Sequence, residues 1–74
     1  MRSREEHLEW CKQRALEYLD AGDTPQAFTS MMSDLRKHEE LQNHVGIQIG
    51  VGFMMLPGWI TNREEVRRWI VGFN

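Results

Sequence analysis

Cys11 and three histidines, His7, His38 and His44, are the side chains of this sequence whose chemistry could support catalysis or metal binding. A structural zinc site uses closely spaced pairs of cysteine or histidine ligands, whereas His38 and His44 are six residues apart without a neighbouring cysteine. A catalytic thiol needs a nearby base and a pocket that excludes water, whereas Cys11 falls on the apolar stripe of a predicted helix, where thiols fill core space. We therefore expect surface histidines, a core cysteine, and no catalytic centre, metal site or cofactor.

Four basic residues, Arg36, Lys37, Arg67 and Arg68, are the candidates for contacts with an anion. Arginine and lysine bind phosphate through charge-assisted hydrogen bonds, so an oligomer could hold a small signalling nucleotide between its subunits, or the last helix could contact a nucleic acid. The net charge of −2 disfavours a nucleic-acid partner, because domains that bind nucleic acids are usually basic. Both functions remain alternatives, and neither rests on a recognised motif.

The periodicity of apolar residues predicts that helices position these side chains. Ser3 and Glu6 form a capping-box pattern at a helix start, and Gly22 is placed to end that helix in the left-handed conformation. The apolar stripe between them has three- and four-residue spacing and contains Leu8, Cys11, Ala15, Tyr18 and Leu19, with Leu16 at its margin.

Two further helices are predicted with similar clarity. Thr24 as N-cap and Pro25 as first helical residue begin the second helix, which should run to about His38. Its core side consists of Ala27, Phe28, Met31, Met32 and Leu35, and its solvent side of Ser30, Ser33, Asp34, Arg36 and Lys37. Thr61 and Glu64 repeat the capping-box pattern before the last helix. Its core side contains Val66, Trp69, Ile70 and Phe73, and its solvent side contains Arg63, Arg67 and Arg68.

Segment 46–56 fits both the alternation of a strand and the periodicity of a helical face. We favour a short helix, because a lone strand in a helical chain would leave its backbone groups without partners. Gly46 and Gly50 would then lie on one side of that helix and permit close packing of another backbone, and Pro57 with Gly58 would end it. The sequence therefore predicts one all-α domain over residues 1–74, a bundle of three to four short helices.

A surplus of aromatic residues predicts an interface. Trp10 is about 200° around the helix from Leu8, on the polar side, and lacks a core to enter. Exposed aromatic residues mark interfaces, and a core of this size supplies only about 3–5 kcal/mol, so we expect a homo-oligomer. The predicted interface contains Trp10, Gly46, Gly50, Phe53 and Trp59. The methionine pairs Met31-Met32 and Met54-Met55 are assigned to core filling rather than to a binding groove.

The number of cysteines and the length of the most apolar stretch indicate the cellular compartment of the protein. A single cysteine excludes an intramolecular disulfide and fits a reducing environment. The start of the sequence has no apolar signal region, and the most apolar stretch, Val45 to Ile60, is sixteen residues long, shorter than the roughly 20 residues of a spanning helix. We expect a cytoplasmic protein without a membrane partner.

Several local motifs together carry a resemblance that spans nearly the whole chain. They are Arg4-Glu-Glu-His-Leu8 with Trp10-Cys-Lys, Arg14-Ala-Leu-Glu-Tyr18, Ser33-Asp-Leu-Arg-Lys-His38, Gly46-Ile47 with Gly50, Val66-Arg-Arg-Trp-Ile70 and Gly72-Phe-Asn74. With these motifs the chain resembles a group of small, functionally uncharacterised proteins encoded by tailed bacteriophages. The resemblance implies a phage gene product acting in the cytoplasm of the bacterial host, and it implies no activity, ligand or catalytic residue.

The function expected from the residues and the resemblance together is that of a phage accessory protein. It would be a non-enzymatic, self-associating helical module that binds a host or phage protein. The alternatives are an oligomeric sponge for a small signalling nucleotide and a nucleic-acid-binding module.

Overall fold

The computed structural model describes residues 3–74, which form four α helices and one short 3-10 turn. In chain order these are α1 (Arg4–Asp20), α2 (Thr24–Leu35), α3 (Val45–Met54), the 3-10 turn (Trp59–Thr61) and α4 (Arg63–Val71). No strand occurs within residues 3–74. The predicted small all-α fold is confirmed, and the ambiguous segment 46–56 contains a helix, as favoured above.

Both ends of α1 follow the predicted capping chemistry. Ser3 Oγ accepts a hydrogen bond from the Glu6 N–H (3.2 Å), and Glu6 Oε1 accepts one from the Ser3 N–H (3.1 Å). At the other end, Gly22 has a φ of 85° and the Asp23 N–H donates to the Tyr18 carbonyl (2.9 Å). A left-handed residue after the last turn allows this bond to satisfy a carbonyl that the helix leaves unpaired.

The predicted N-caps of α2 and α4 are each wrong by one residue. Asp23, not Thr24, caps α2 by accepting from the Gln26 N–H (3.2 Å), and Asn62, not Thr61, caps α4 by accepting from the Glu65 N–H (3.1 Å). Asp23 and Thr24 are adjacent, as are Thr61 and Asn62, and each of these residue types can cap a helix. The sequence alone therefore does not show which member of each pair is the N-cap. The end of α2 at Leu35 also comes before the expected His38.

The core is built from the apolar stripes of α1, α2 and α4, which pack against one another. Its buried apolar residues are Leu8, Cys11, Ala15, Leu19, Ala27, Phe28, Met31, Leu35, Leu41, Ile47, Trp59, Val66, Trp69, Ile70 and Phe73. This set confirms the stripes predicted for the three helices, with Tyr18, Leu16 and Met32 partly buried at the margin. Leu41 lies in the connection between α2 and α3 and is fully buried.

The chain end after α4 is held by α1. Arg4 Nη2 donates to the Asn74 carbonyl (2.6 Å), and Lys12 Nζ donates to the Phe73 carbonyl (2.6 Å). These bonds satisfy backbone acceptors that lie beyond the last helical turn.

Asp34 lies at the junction of α1 and α2 and is buried, with 1% of its surface exposed, although the sequence predicted that it faces solvent. Its carboxylate accepts hydrogen bonds from Arg14 Nε (2.7 Å), Lys37 Nζ (3.1 Å) and Ser30 Oγ (3.3 Å). A buried carboxylate is tolerated when it is paired and hydrogen-bonded. Ser30, also predicted to face solvent, is buried beside it.

Two histidines adjoin this junction and are buried, which corrects the expectation of surface histidines. His7 Nε2 donates to the Asp34 backbone carbonyl (2.7 Å), and the His7 and His38 rings lie 5.2 Å apart between centroids. His38 Nδ1 accepts from the Glu40 N–H (3.1 Å). His7 lies four residues before Cys11, so the spacing of the core stripe includes it although its type does not suggest burial.

The charge of Asp34 depends on these contacts. Burial raises the pKa of a carboxyl group, but the hydrogen bonds and charges of Arg14 and Lys37 outweigh it, and the pKa of Asp34 lies below its ordinary value of 3.8. Because the pKa is lower in the folded chain, Asp34 stabilises the fold above pH 3.8 and this contribution is lost as the pH falls through the folded pKa.

We predict that Asp34→Asn lowers the free energy of unfolding at neutral pH by about 1–3 kcal/mol, because an anionic acceptor of charged donors is lost. The variant should also show a weaker decrease in stability under acidic conditions than the native chain. Urea denaturation followed by circular dichroism measures both effects. Asp20→Asn is the control, because the Asp20 carboxylate is 74% exposed and lies 3.6 Å from Arg63, where a surface pair contributes under about 1 kcal/mol. An equal loss in the two variants would contradict the prediction.

Candidate interaction surface

α3 packs against the rest of the molecule through glycines. A Cβ atom on Gly46 would lie 2.5 Å from Phe73 Cε2, and one on Gly50 would lie 2.6 Å from Trp69 Cζ2. The two rings therefore occupy the space that side chains at these positions would need. The close packing predicted for Gly46 and Gly50 is present, but an aromatic ring of the same chain, rather than a second backbone, makes the approach.

Hydrogen bonds fix the start of α3 at this contact. Trp69 Nε1 donates to the Gly46 carbonyl (3.0 Å), and His44 Nδ1 caps the helix by accepting from the Gly46 N–H (2.9 Å). Because Nδ1 is the acceptor, the imidazole carries its proton on Nε2, which donates to the Asn74 carbonyl (2.9 Å). The bonds determine which side of α3 faces the core, and Ile47 and Gly50 are its buried residues.

The opposite side of α3 and the residues just after it form an exposed apolar surface, which we call the α3 face. Exposure ranges from 37% at Phe53 to 79% at Met55. The α3 face consists of Val45, Ile49, Val51, Phe53, Met54, Met55 and Leu56. Residues 41–62 contain no Asp, Glu, Lys or Arg, and the exposed Gln48 is the one polar side chain of α3. A helix that is apolar on nearly all sides is normally covered on nearly all sides. A contiguous exposed apolar surface indicates an interaction site.

The placement of the methionine pairs differs between α2 and α3. Met31 is fully buried and Met32 partly buried, as expected for core filling. Met54 and Met55 are 46% and 79% exposed, so the assignment of this pair to the core is wrong. The physical reason is that Trp69 and Phe73 fill the core side of α3 against Gly46 and Gly50, where Ile47 is the one large side chain of α3 that is buried.

A cleft of about 240 Å³ lies beside the α3 face, between the start of α3 and the end of α4. Val45, Gly46 and Ile49 line it on the α3 side, and Trp69 and Phe73 lie on the other. Ligand pockets usually measure about 300–1,000 Å³. A cleft below that size is better suited to one inserted side chain than to a small-molecule ligand.

Trp59 and Phe53, two residues of the predicted interface, contact each other. Trp59 is buried and its ring lies 5.6 Å from that of Phe28 and 6.0 Å from that of Trp69. The Phe53 ring lies 5.2 Å from Trp59 and is partly exposed. Trp59 therefore belongs to the core of the single chain, whereas Phe53 lies where the core meets the α3 face.

Trp10 does have contacts within the chain, contrary to the expectation that it lacks a core to enter. It is half-buried against the core, and its ring lies 5.2 Å from the His7 ring. The Arg14 guanidinium and the Lys37 ammonium lie 5.0 Å and 5.6 Å from its ring centroid. Arginine and lysine are attracted to the face of an indole at this distance. Because Asp34 binds both cations, Trp10 is part of the α1–α2 junction, and its position no longer requires a second copy.

The four candidate anion contacts do not converge on one site. Arg36 lines a cleft of about 150 Å³ near the start of α3, whereas Arg68 lines the 240 Å³ cleft and pairs with Glu65 (3.3 Å). Lys37 binds Asp34, and Arg67 is exposed on α4.

Within residues 3–74, no group of three or more His, Cys, Asp or Glu side chains is placed to hold a metal ion. In that same range no helix has the length and apolar character needed to cross a membrane.

No family model matches the chain, and neither do any curated proteins or solved structures. A functional proposal therefore rests on the residues and geometry described above, of which the α3 face is the most distinctive.

The packing of α3 predicts opposite effects for the same substitution at two of its glycines. Gly50→Ala should lower the free energy of unfolding by about 1–3 kcal/mol, because the added methyl group displaces the buried Trp69 ring. Gly52→Ala is the matched control, since its Cβ would meet nothing within 4 Å, and it should raise stability by about 0.5–1 kcal/mol through helix propensity. Chemical denaturation in dilute solution measures both. A gain in stability for Gly50→Ala would contradict the packing of α3 described here.

Proposed function

We propose that this protein is a non-enzymatic interaction module that binds a protein partner through the α3 face. The observation that carries the proposal is the exposure of seven large apolar side chains in a stretch of chain without charged residues. Removing apolar surface from water contributes about 25 cal/mol per Å², so a partner that covers this surface would be bound favourably.

A protein partner fits the α3 face better than a membrane surface does. Helices that lie in a membrane interface combine an apolar face with lysine and arginine on the polar side. α3 has neither residue, and the chain as a whole has a net charge of −2, which opposes binding to anionic lipids.

The resemblance to small tailed-phage proteins supports a biological setting for this module. In that setting the protein is an accessory protein that acts on a host or phage component in the bacterial cytoplasm. The single cysteine agrees with a reducing compartment.

The nucleotide sponge and the nucleic-acid-binding module receive less support. Arg36 and Arg68 line separate clefts, and Lys37 and Arg68 already pair with carboxylates. Either function would need several cations directed at one phosphate group.

Site-specific photocrosslinking in bacterial cells tests the proposed function. A photoreactive residue replacing Met55, the most exposed residue of the α3 face, should give adducts heavier than the 8.8 kDa chain. The same probe at Glu17, exposed on α1, should give far fewer. Mass spectrometry of the adducts identifies the attached protein. The proposal fails if Met55 gives no adducts, or if Glu17 gives the same adducts with the same yield.

A further inference from the structure

We infer that the occupant of the α3 face is a second copy of this chain, bound with the two α3 helices antiparallel. In this arrangement Ile49 packs against Gly52 of the second copy, and Val45 packs against Leu56 of the second copy. The inference rests on the proposed function and specifies its partner.

The four residues form one ridge along the outer side of α3. Val45, Ile49, Gly52 and Leu56 are separated by four, three and four residues, the spacing of neighbours on a helix surface. Leu56 lies two residues after Met54, the last residue of α3, and its N–H donates to the Phe53 carbonyl (2.9 Å), which closes one further turn of chain. All three large residues of the ridge are about half or more exposed.

The ridge is complementary to itself when one copy is reversed. A two-fold symmetric contact places the same surface on both subunits, so each residue pair occurs twice. Reading the ridge from either end gives the same spacing, which brings the large Ile49 opposite the small Gly52 in both directions. The pattern therefore provides a protrusion and a notch that match across a two-fold axis.

Gly52 has no role within one chain that explains it. Gly46 and Gly50 accommodate Phe73 and Trp69, whereas a Cβ on Gly52 would meet nothing within 4 Å. Glycine lowers the stability of a helix interior relative to alanine, and it is favoured where another group must approach the backbone closely. Ile49 of a second copy is such a group.

The composition of the α3 face also permits self-association. Two copies of a surface without charged residues do not repel each other. Along the ridge, Val45, Ile49 and Leu56 are 63%, 47% and 54% exposed, so a two-fold contact would remove apolar surface from water on both copies.

The mass of the purified full chain in solution, measured by native mass spectrometry and light scattering over a range of concentrations, tests the inference. A dimer of twice the 8.8 kDa chain mass is expected. Gly52→Ile fills the notch and should weaken dimerisation at least about tenfold, with helix content by circular dichroism unchanged.

The double variant Ile49→Gly with Gly52→Ile provides the decisive comparison. It has the composition of the native chain but exchanges protrusion and notch, so the two-fold match is restored and the dimer affinity should return to within about threefold of the native value. Dimerisation that is unchanged in Gly52→Ile, or not recovered in the double variant, would overturn the inference.

A native chain that stays monomeric at all concentrations would also overturn it. In that case, crosslinks from Met55 to a different protein would leave the proposed function standing with another occupant. A monomer without any such crosslinks would remove both proposals.

Discussion

The contact of Trp69 and Phe73 with the glycines of α3 determines which surface of the molecule is covered and which remains open. Without side chains at Gly46 and Gly50, α3 approaches the two rings closely enough for the Trp69 indole to bond with the Gly46 carbonyl. The large residues of α3 therefore lie mostly on its outer side. The close packing of Gly46 and Gly50 inside the chain and the exposure of the α3 face to solvent therefore have the same cause, the contact of α3 with the two rings.

Much of the fold could be predicted from the sequence, because the stripes of α1, α2 and α4 combine clear apolar spacing with capping residues. The predictions for Asp34, Ser30 and His7 are wrong because a polar residue type does not by itself imply exposure to solvent. Asp34 lies three residues after Met31, within the core spacing of α2, so its position was available from the periodicity. Its three donors come from α1, α2 and the turn after α2, and only the folded chain brings them together.

The candidate surface was less predictable. A segment that is apolar except for Gln48 has little periodic signal to separate its inner from its outer face, and its three glycines are chemically identical in the sequence. The structure distinguishes them by their neighbours: Gly46 and Gly50 lie against aromatic rings, whereas a Cβ on Gly52 would meet nothing within 4 Å. The position of Trp10 was unpredictable for a related reason, since the cations that cover its ring are themselves held by the buried Asp34.

The bonds from Arg4 to Asn74 and from Lys12 to Phe73 join two parts of the chain that are about as far apart in sequence as its length permits. We therefore expect the first turns of α1 and the residues after α4 to lose their structure together, although loose chain ends usually fray independently. Through His44, which bonds to Asn74, the start of α3 is linked to the same two segments. The orientation of α3 therefore depends on the hydrogen bonds that hold the start of α1 and the residues after α4 together.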